Sequence, residues 1–485
     1  MEYLTVDGLV DMVKKYDQDA ESMIKEAYLY AEYLHRNQFR QSGEPYIVHP
    51  LNVAFILAEM HADRDTICAA LLHDTLEDTD TTYEEIKNNF NEEVAKLVDG
   101  VTKISKMYFS TKEEQNYANM RKIITGVTQD VRIIIIKLAD RLHNMRTIQY
   151  KSSFKQKENS IETLKIFVPL AYYIGAYRIK NELEDISFRC LDFDKYQEIE
   201  EYIQKIEKEN RLCIQEMLYK IRYILSDRNI SNEIKVRMKN VYGVYKKLKS
   251  GEKLRTIHDL ISFKIIVEEI DQCYLMLRSI HEQYKPVNEL FKDYICNAKP
   301  NFYQSLHTTV FAPNGRLVQM QIRTEDMDKV ASFGLARYWY LNGVDARMMM
   351  QEDLKYKYQF YSSLREIDQV FDNNEDFIKQ AQKELFSDKV YVFTAKGDII
   401  ELPVGATVID FAYHVDSQLG NTMVDAFVND ENVAVNYVLK SGDRVKIITN
   451  PNCYQSRQNW EDLVITTLAK KRIKEFNRSR NILIN

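Results

Sequence analysis

The sequence predicts a multidomain fold: an all-α domain first, an α/β domain with a mixed sheet next, and a small β-rich module after it. Three observations carry this. Up to about residue 195 the apolar residues recur at three-and-four spacing, as one face of a helix requires. From about Ile230, strand-like and helix-like runs alternate. From Lys389 to Asn450, short strand patterns surround a single short helical one. The length, 485 residues, suits about three domains at roughly 150 residues each. The expected divisions are 1–195, 196–345, a helical linker at 346–386, the β-rich module at 387–450 and a helical segment at 451–485.

In order along the chain, AESMIKEAYLYAEYLHRNQ, LNVAFILAEMHA, DTICAALLHDTLED and YEEIKNNFNEEVAKLVDGVTKI read as helices. VRIIIIKLADRLHNMRTI begins with a β-branched run that resembles a strand, but its continuation at helical spacing predicts a buried helix. IKVRMKNVYGVYKKLKS predicts a strand entering a helix, DLISFKIIV a strand, and DQCYLMLRSIHEQY a helix. SLHTTVFAP and RLVQMQIRT predict strands on either side of the turn Pro313-Asn314-Gly315, and this domain is expected to end near Gly343. VYVFTAKGDIIELP predicts a hairpin, VIDFAYHV a short helix, and AFVNDENVAV and DRVKIIT further strands, before a last helix ending in AKKRIKEFNRSR.

Composition excludes several classes. No apolar run approaches the roughly 20 residues that span a bilayer. The N-terminal stretch lacks a signal peptide's basic start and apolar core. Six cysteines without CxxC spacing indicate neither a zinc ribbon nor a disulfide framework, so a cytoplasmic protein without a membrane partner is expected. A net charge of −6 argues against indiscriminate nucleic-acid binding by the whole chain.

The chemistry concentrates in His49, the tandem pair His73-Asp74, and Asp140, two imidazoles and two carboxylates suited to one divalent ion. Glu77 and Asp78 follow in LLHDTLEDT; on a continuous helix they lie four residues after His73 and Asp74 and share a face with them. In KLADRLHNMRT, Asn144 and Thr147 fall at i+4 and i+7 from Asp140. Each fragment alone is commonly structural. Together they predict metal-assisted hydrolysis of a phosphate ester, with ligand types that suit Mn²⁺ and leave Fe²⁺ and Zn²⁺ open. In the second domain Lys235, Arg237 and Lys239 alternate, with Lys246, Lys247 and Lys249 following, a row able to hold a triphosphate.

The strings RQSGEPYIVHP, LLHDTLEDT, LVDGVTK and IKLADRLHNMRT, then FKDYI and KPNFYQSLHTTV, then VYVFTAKGDIIELPVGATVIDFAY, resemble the long RelA/SpoT homologues that make and destroy the alarmone (p)ppGpp. The resemblance implies an HD-type hydrolase domain, a nucleotidyltransferase-like synthetase domain and a β-grasp TGS domain. It implies that His49, His73, Asp74 and Asp140 hold Mn²⁺, and that Glu77 and Asp78 position and deprotonate water. It places Arg40, Ser42, Asn144 and Thr147 in a guanine-nucleotide pocket, with ppGpp, pppGpp, GDP and GTP as partners; Gln41 stands where a Lys is usual. The implied reaction removes the 3′-pyrophosphate from (p)ppGpp.

In the second domain the resemblance matches Arg237, Lys239, Lys247, Lys292, Lys299, Tyr303 and His307 to nucleotide contacts, and Asp259 to one of two acidic groups that hold Mg²⁺. The other acidic position is Gln319, an amide that neither takes a proton nor offers Mg²⁺ its preferred charge. Lys264 replaces an Arg, Glu289-Leu290 a Gly-Arg, and Ser332 and Tyr338 a Glu and a His. These departures predict a pseudo-synthetase, with Mg²⁺ relevant only if synthesis survives. In the TGS module Asp416 replaces a His and Asp425 and Phe427 a Gly and a Lys, so the ribosome and tRNA contacts of the family are expected to be weakened. The chain is also expected to be truncated after the TGS module relative to long members. Other readings are a bifunctional synthetase/hydrolase, a nucleotide or tRNA sensor, and a hydrolase of another nucleotide such as NADPH.

Overall fold

The structure, a computed structural model, describes residues 4–105, 118, 121, 125, 130–228, 230, 233–254, 257–296, 303–334, 359–385, 389–451 and 458–484. The chain forms two compact units, Met1–Lys103 with Asp130–Gln351, and Ile104–Gln129 with Glu352–Asn485.

The first unit opens with helices α1 (Val6–Val13), α2 (Glu21–Leu34), α3 (Val48–Glu59) and α4 (Arg64–Leu72). Helix α3 buries every residue from His49 to Ala58 except Asn52, so it runs through the middle of the domain rather than over its surface. The expected buried helix is present as Val131–Arg146, started by the Asp130 carboxylate accepting from the Arg132 N–H. Its isoleucine run is buried on all sides, which explains why that stretch carries no polar face to reveal helical periodicity. The helix Glu92–Ser105 approaches it closely at Gly100, where a Cβ would collide with Ile133.

The tandem pair departs from expectation. His73 and Asp74 lie in a break between α4 and the short helix α5 (Thr75–Asp78), not within one helix. The Thr75 hydroxyl donates to the Leu72 carbonyl at 2.7 Å, occupying an acceptor that a continuing helix would give to a backbone N–H.

The helices Tyr177–Leu191 and Phe193–Asp227 lead to a five-stranded sheet, β1 (Glu233–Met238), β2 (Ile261–Val267), β3 (Lys292–Asp293), β4 (Leu306–Phe311) and β5 (Leu317–Thr324), in the order β1-β2-β5-β4-β3. Only β2 and β5 are parallel, which makes the sheet mixed as predicted. The register sets Gln319 of β5 between Ser262 of β2 and Thr309 of β4, on a central strand.

The second unit holds another five-stranded sheet, β6 (Lys389–Thr394), β7 (Ile399–Pro403), β8 (Met423–Val428), β9 (Glu431–Val433) and β10 (Arg444–Thr449), in the order β7-β6-β10-β8-β9, with the helix Val408–Val415 packed on it. The fully buried Asp410 carboxylate accepts from the Ile465 and Thr466 N–H groups and from the Thr466 and Thr407 hydroxyls, anchoring the chain entering the helix Thr467–Ile484. No described helix is long and apolar enough to cross a membrane. Replacing Asp410 by Ala would leave several buried donors unpaired, and denaturant unfolding followed by circular dichroism should show the second unit destabilised by about 3 kcal/mol or more.

Candidate metal and nucleotide site

The break after α4, the start of α3 and the helix Val131–Arg146 converge on one point. His49 Nε2 lies 3.2 Å from Asp140 Oδ1 and 3.7 Å from Asp74 Oδ2, and His73 Nε2 lies 3.1 Å from the same Asp74 oxygen. Donor atoms of His49, His73 and Asp140 all lie within 4.8 Å of one another. Asp74 adds its Oδ2 beside both imidazoles, so the four predicted ligands are brought together.

The site's electrostatics fit a cation. Burial raises the cost of charge on Asp74 and Asp140, yet the facing imidazoles, with Lys137 also near Asp140, hold both carboxyls well below the usual carboxylate range. Burial pulls the His49 imidazole below its ordinary value. His73 is as deeply buried, but Asp74 and Asp140 outweigh that and push its imidazole upward. The Nδ1–H of His73 donates to the Ala70 carbonyl at 2.8 Å, which leaves Nε2 as the atom facing the cluster. That Nε2 is buried and faces the Asp74 carboxylate at 3.1 Å.

Around these four lie groups the sequence reading missed. His143 Nδ1 is 2.7 Å from His49 Nδ1, and burial, with His49 and Arg40 nearby, lowers its pKa to about 3, so it stays neutral and able to accept. The Tyr46 hydroxyl is 2.7 Å from Asp74 Oδ2 and 3.2 Å from Asp78 Oδ2. His143 follows Asp140 by three residues on one helix face, a spacing visible in the sequence, whereas nothing local marks Tyr46.

The expected nucleotide residues divide. Arg40 Nη2 donates to Asn144 Oδ1 at 3.0 Å and lies 3.4 Å from Thr147 Oγ1, and Asn144 Nδ2 donates in turn to Asp140 Oδ1. Ser42 instead donates to Glu44 within its own turn. Glu77 is half-buried and Asp78 exposed, with both backbone N–H groups on the Asp74 carbonyl.

Three family models match the chain: an HD domain over residues 27–176, a region found in RelA / SpoT proteins over 236–343, and a TGS domain over 390–449. The chain is 43% identical over 469 residues to a GTP pyrophosphokinase of Myxococcus xanthus, covering 96% of this chain and 61% of that one. It is 43% identical over 480 residues to a guanosine-3′,5′-bis(diphosphate) 3′-pyrophosphohydrolase of Aquifex aeolicus, covering 97% and 66%. It is 39% identical over 473 residues to the bifunctional (p)ppGpp synthase/hydrolase SpoT of Escherichia coli K12, covering 97% and 67%. The chain belongs to the RelA/SpoT family. It spans roughly three fifths to two thirds of the length of these relatives.

The RelA/SpoT-type region carries a cavity of about 800 Å³ that takes in Arg237, Lys239, Lys247, Asp259, Tyr303, His307 and Gln319. Lys292 is not among its lining residues; it sits exposed on the two-residue strand β3, opposite His307 in register. Lys299 and Tyr338 lie outside the described residues. Asp259 is already ion-paired, 2.6 Å from Lys239 Nζ and 3.4 Å from Lys247 Nζ. Burial would raise its pKa, but these two lysines hold the carboxyl below its ordinary value. Gln319 accepts from Gln321 Nε2 at 2.8 Å, and Gln321 accepts from Arg323 Nη2 at 2.7 Å. Lys264 pairs with Asp328 at 2.8 Å. Tyr303 places its hydroxyl 2.7 Å from His307 Nε2, with the Arg323 guanidinium 5.3 Å from its ring centre.

In the TGS module, Asp416 accepts from the Gln418 and Leu419 N–H groups as a helix N-cap, and Asp425 accepts from Asn432. Both acidic replacements therefore have structural partners in the module itself. At the metal site, His143→Ala should strip the buried His49 Nδ1 of its partner and destabilise the metal-free protein by about 1–3 kcal/mol, read from urea unfolding.

Proposed function

We propose that the chain is a guanosine-3′,5′-bis(diphosphate) 3′-pyrophosphohydrolase: ppGpp and water give GDP and pyrophosphate, in alarmone turnover. The observation that carries this reading is the convergence of donor atoms of His49, His73 and Asp140 within 4.8 Å of one another, with Asp74 Oδ2 beside both imidazoles at 3.1 and 3.7 Å. The named relatives support the substrate. These four residues would hold one divalent ion, which the mixed imidazole and carboxylate donors suit as Mn²⁺. Such an ion supplies Lewis-acid polarisation of phosphoryl oxygen and a lower pKa for water.

The chain's own groups do the rest. Glu77 and Asp78, beside the ligand pair, orient the attacking water and take its proton as its oxygen adds to phosphorus. The bond to the ribose 3′ oxygen breaks, pyrophosphate leaves and the 3′ hydroxyl recovers a proton. Arg40 offers a planar cation to stack on guanine, held by Asn144 and Thr147. The partners are the guanine nucleotides ppGpp, pppGpp, GDP and GTP. Purified chain with Mn²⁺ should release pyrophosphate from ppGpp, and Asp74→Ala or Glu77→Ala should cut the rate by about 100-fold or more. Intact ppGpp after incubation with the metal-loaded wild type overturns the assignment.

The RelA/SpoT-type domain reads as a pseudo-synthetase. Asp259 is matched by two lysines, and the second acidic position is an amide engaged with another amide, so neither offers Mg²⁺ a free pair of carboxylates. ATP with GDP or GTP and Mg²⁺ should yield no alarmone by ion-exchange chromatography. A product that disappears in Asp259→Ala would restore the bifunctional reading. The acidic replacements in the TGS module favour weak tRNA and ribosome contact over a sensor role.

A further inference from the structure

One side chain touches both a metal-ligand candidate and a proposed catalytic carboxylate without belonging to either set. The Tyr46 hydroxyl is 2.7 Å from Asp74 Oδ2 and 3.2 Å from Asp78 Oδ2. A phenol carries one proton, so it donates fully to one carboxylate at a time, and the shorter distance favours Asp74. The same Asp74 oxygen is the one nearest the His73 and His49 Nε2 atoms. Tyr46 thus acts on the oxygen that faces the metal cluster.

The ring has little freedom to wander. It stacks on His35 with centroids 4.7 Å apart and meets the edge of His49 at 6.1 Å. The Arg40 guanidinium lies 5.9 Å from its centre. Its backbone N–H donates to the Gln38 carbonyl, and Gln38 Nε2 donates to the Asp78 carbonyl at 2.9 Å, so the turn carrying Arg40 is laced to the helix carrying Asp78. Only the hydroxyl hydrogen can move, by rotation between two acceptors.

We propose that Tyr46 is a positioning residue that couples the charge state of Asp74 to the orientation of Asp78. With Asp74 uncompensated, the hydroxyl donates to Asp74. When a cation draws on the Asp74 carboxylate, that oxygen becomes the weaker acceptor, and the hydroxyl turns to Asp78 and fixes its carboxylate. The Asp78 carboxylate would then be set only in chains whose ligand cluster is filled. The inference rests on the hydrolase reading for the role of Asp78, but its first consequence, on ion affinity, does not.

Tyr46→Phe keeps the ring and removes the hydroxyl. In the whole chain, Mn²⁺ titrated against the variant and followed by the EPR signal of free ion should show tighter binding, by up to about 10-fold, because the hydroxyl donates to Asp74 only while the cluster is empty. At saturating Mn²⁺, kcat for ppGpp should fall about 10-fold or more while KM stays within about 2-fold, because binding of the nucleotide is untouched and only the Asp78 carboxylate is loosened. Mn²⁺ binding no tighter than wild type overturns the proposal, as does an unchanged kcat at saturation or a KM that rises as much as kcat falls. If wild type binds Mn²⁺ but leaves ppGpp intact, the hydrolase reading fails, and the titration still decides whether Tyr46 acts on Asp74.

Discussion

Two half-buried carboxylates, Asp74 and Asp140, lie against two buried imidazoles, and the first domain is arranged around that constraint. Charge of one sign is costly to bury unless it is matched. The imidazoles supply that match only through protons, and burial works against those protons, most clearly at His49. A divalent ion matches both carboxylates at once and leaves both imidazoles neutral, which is the state that burial favours. The architecture serves this point: α3 is buried along nearly its whole circumference, the isoleucine run of the Val131–Arg146 helix is buried on all sides, and α4 stops where His73 and Asp74 must turn inward.

The cavity in the second domain meets a related problem in the opposite way. Asp259 is also largely enclosed, but its counter-charge is built in, from Lys239 and Lys247. Gln319 stands on a central strand where an ionised group would need another partner, and as an amide it pairs with Gln321 instead. One domain concentrates negative charge and so favours an added cation; the other has neutralised its acid with its own side chains. This difference underlies the proposal that the first domain hydrolyses and the second has lost synthesis.

The polar chain Arg40–Asn144–Asp140–His49 ties the proposed nucleotide contacts to the ligand cluster. Helical spacing makes this economical, since Asp140, Asn144 and Thr147 share a face of one helix. Outer groups then decide which atoms are presented: Ala70 fixes the His73 ring through Nδ1, and His143 engages His49 at the same position. The two Nε2 atoms are left directed inward.

Much of this was legible in order along the chain. Alternation and turn residues placed most strands of both sheets, though not the two-residue β3, and the continuation of IIIIKLADRLHN at helical spacing identified a helix that its first residues disguise. Histidines are few in the first domain and drew attention to His49 and His73-Asp74, while the resemblance of the surrounding strings implied the full set with Asp140. The interruption between Leu72 and Thr75 was not legible, since the sequence does not show that the Thr75 hydroxyl meets the Leu72 carbonyl there. Nor was the placement of Tyr46, an ordinary aromatic until the fold brings Asp74 and Asp78 to its hydroxyl, nor the local partner that Ser42 finds in Glu44. Donor type and local spacing are properties of short stretches, so the sequence by itself determined them. Which oxygen meets which nitrogen, and which lysine neutralises which acid, depends on packing between distant segments, and only the tertiary structure decided that.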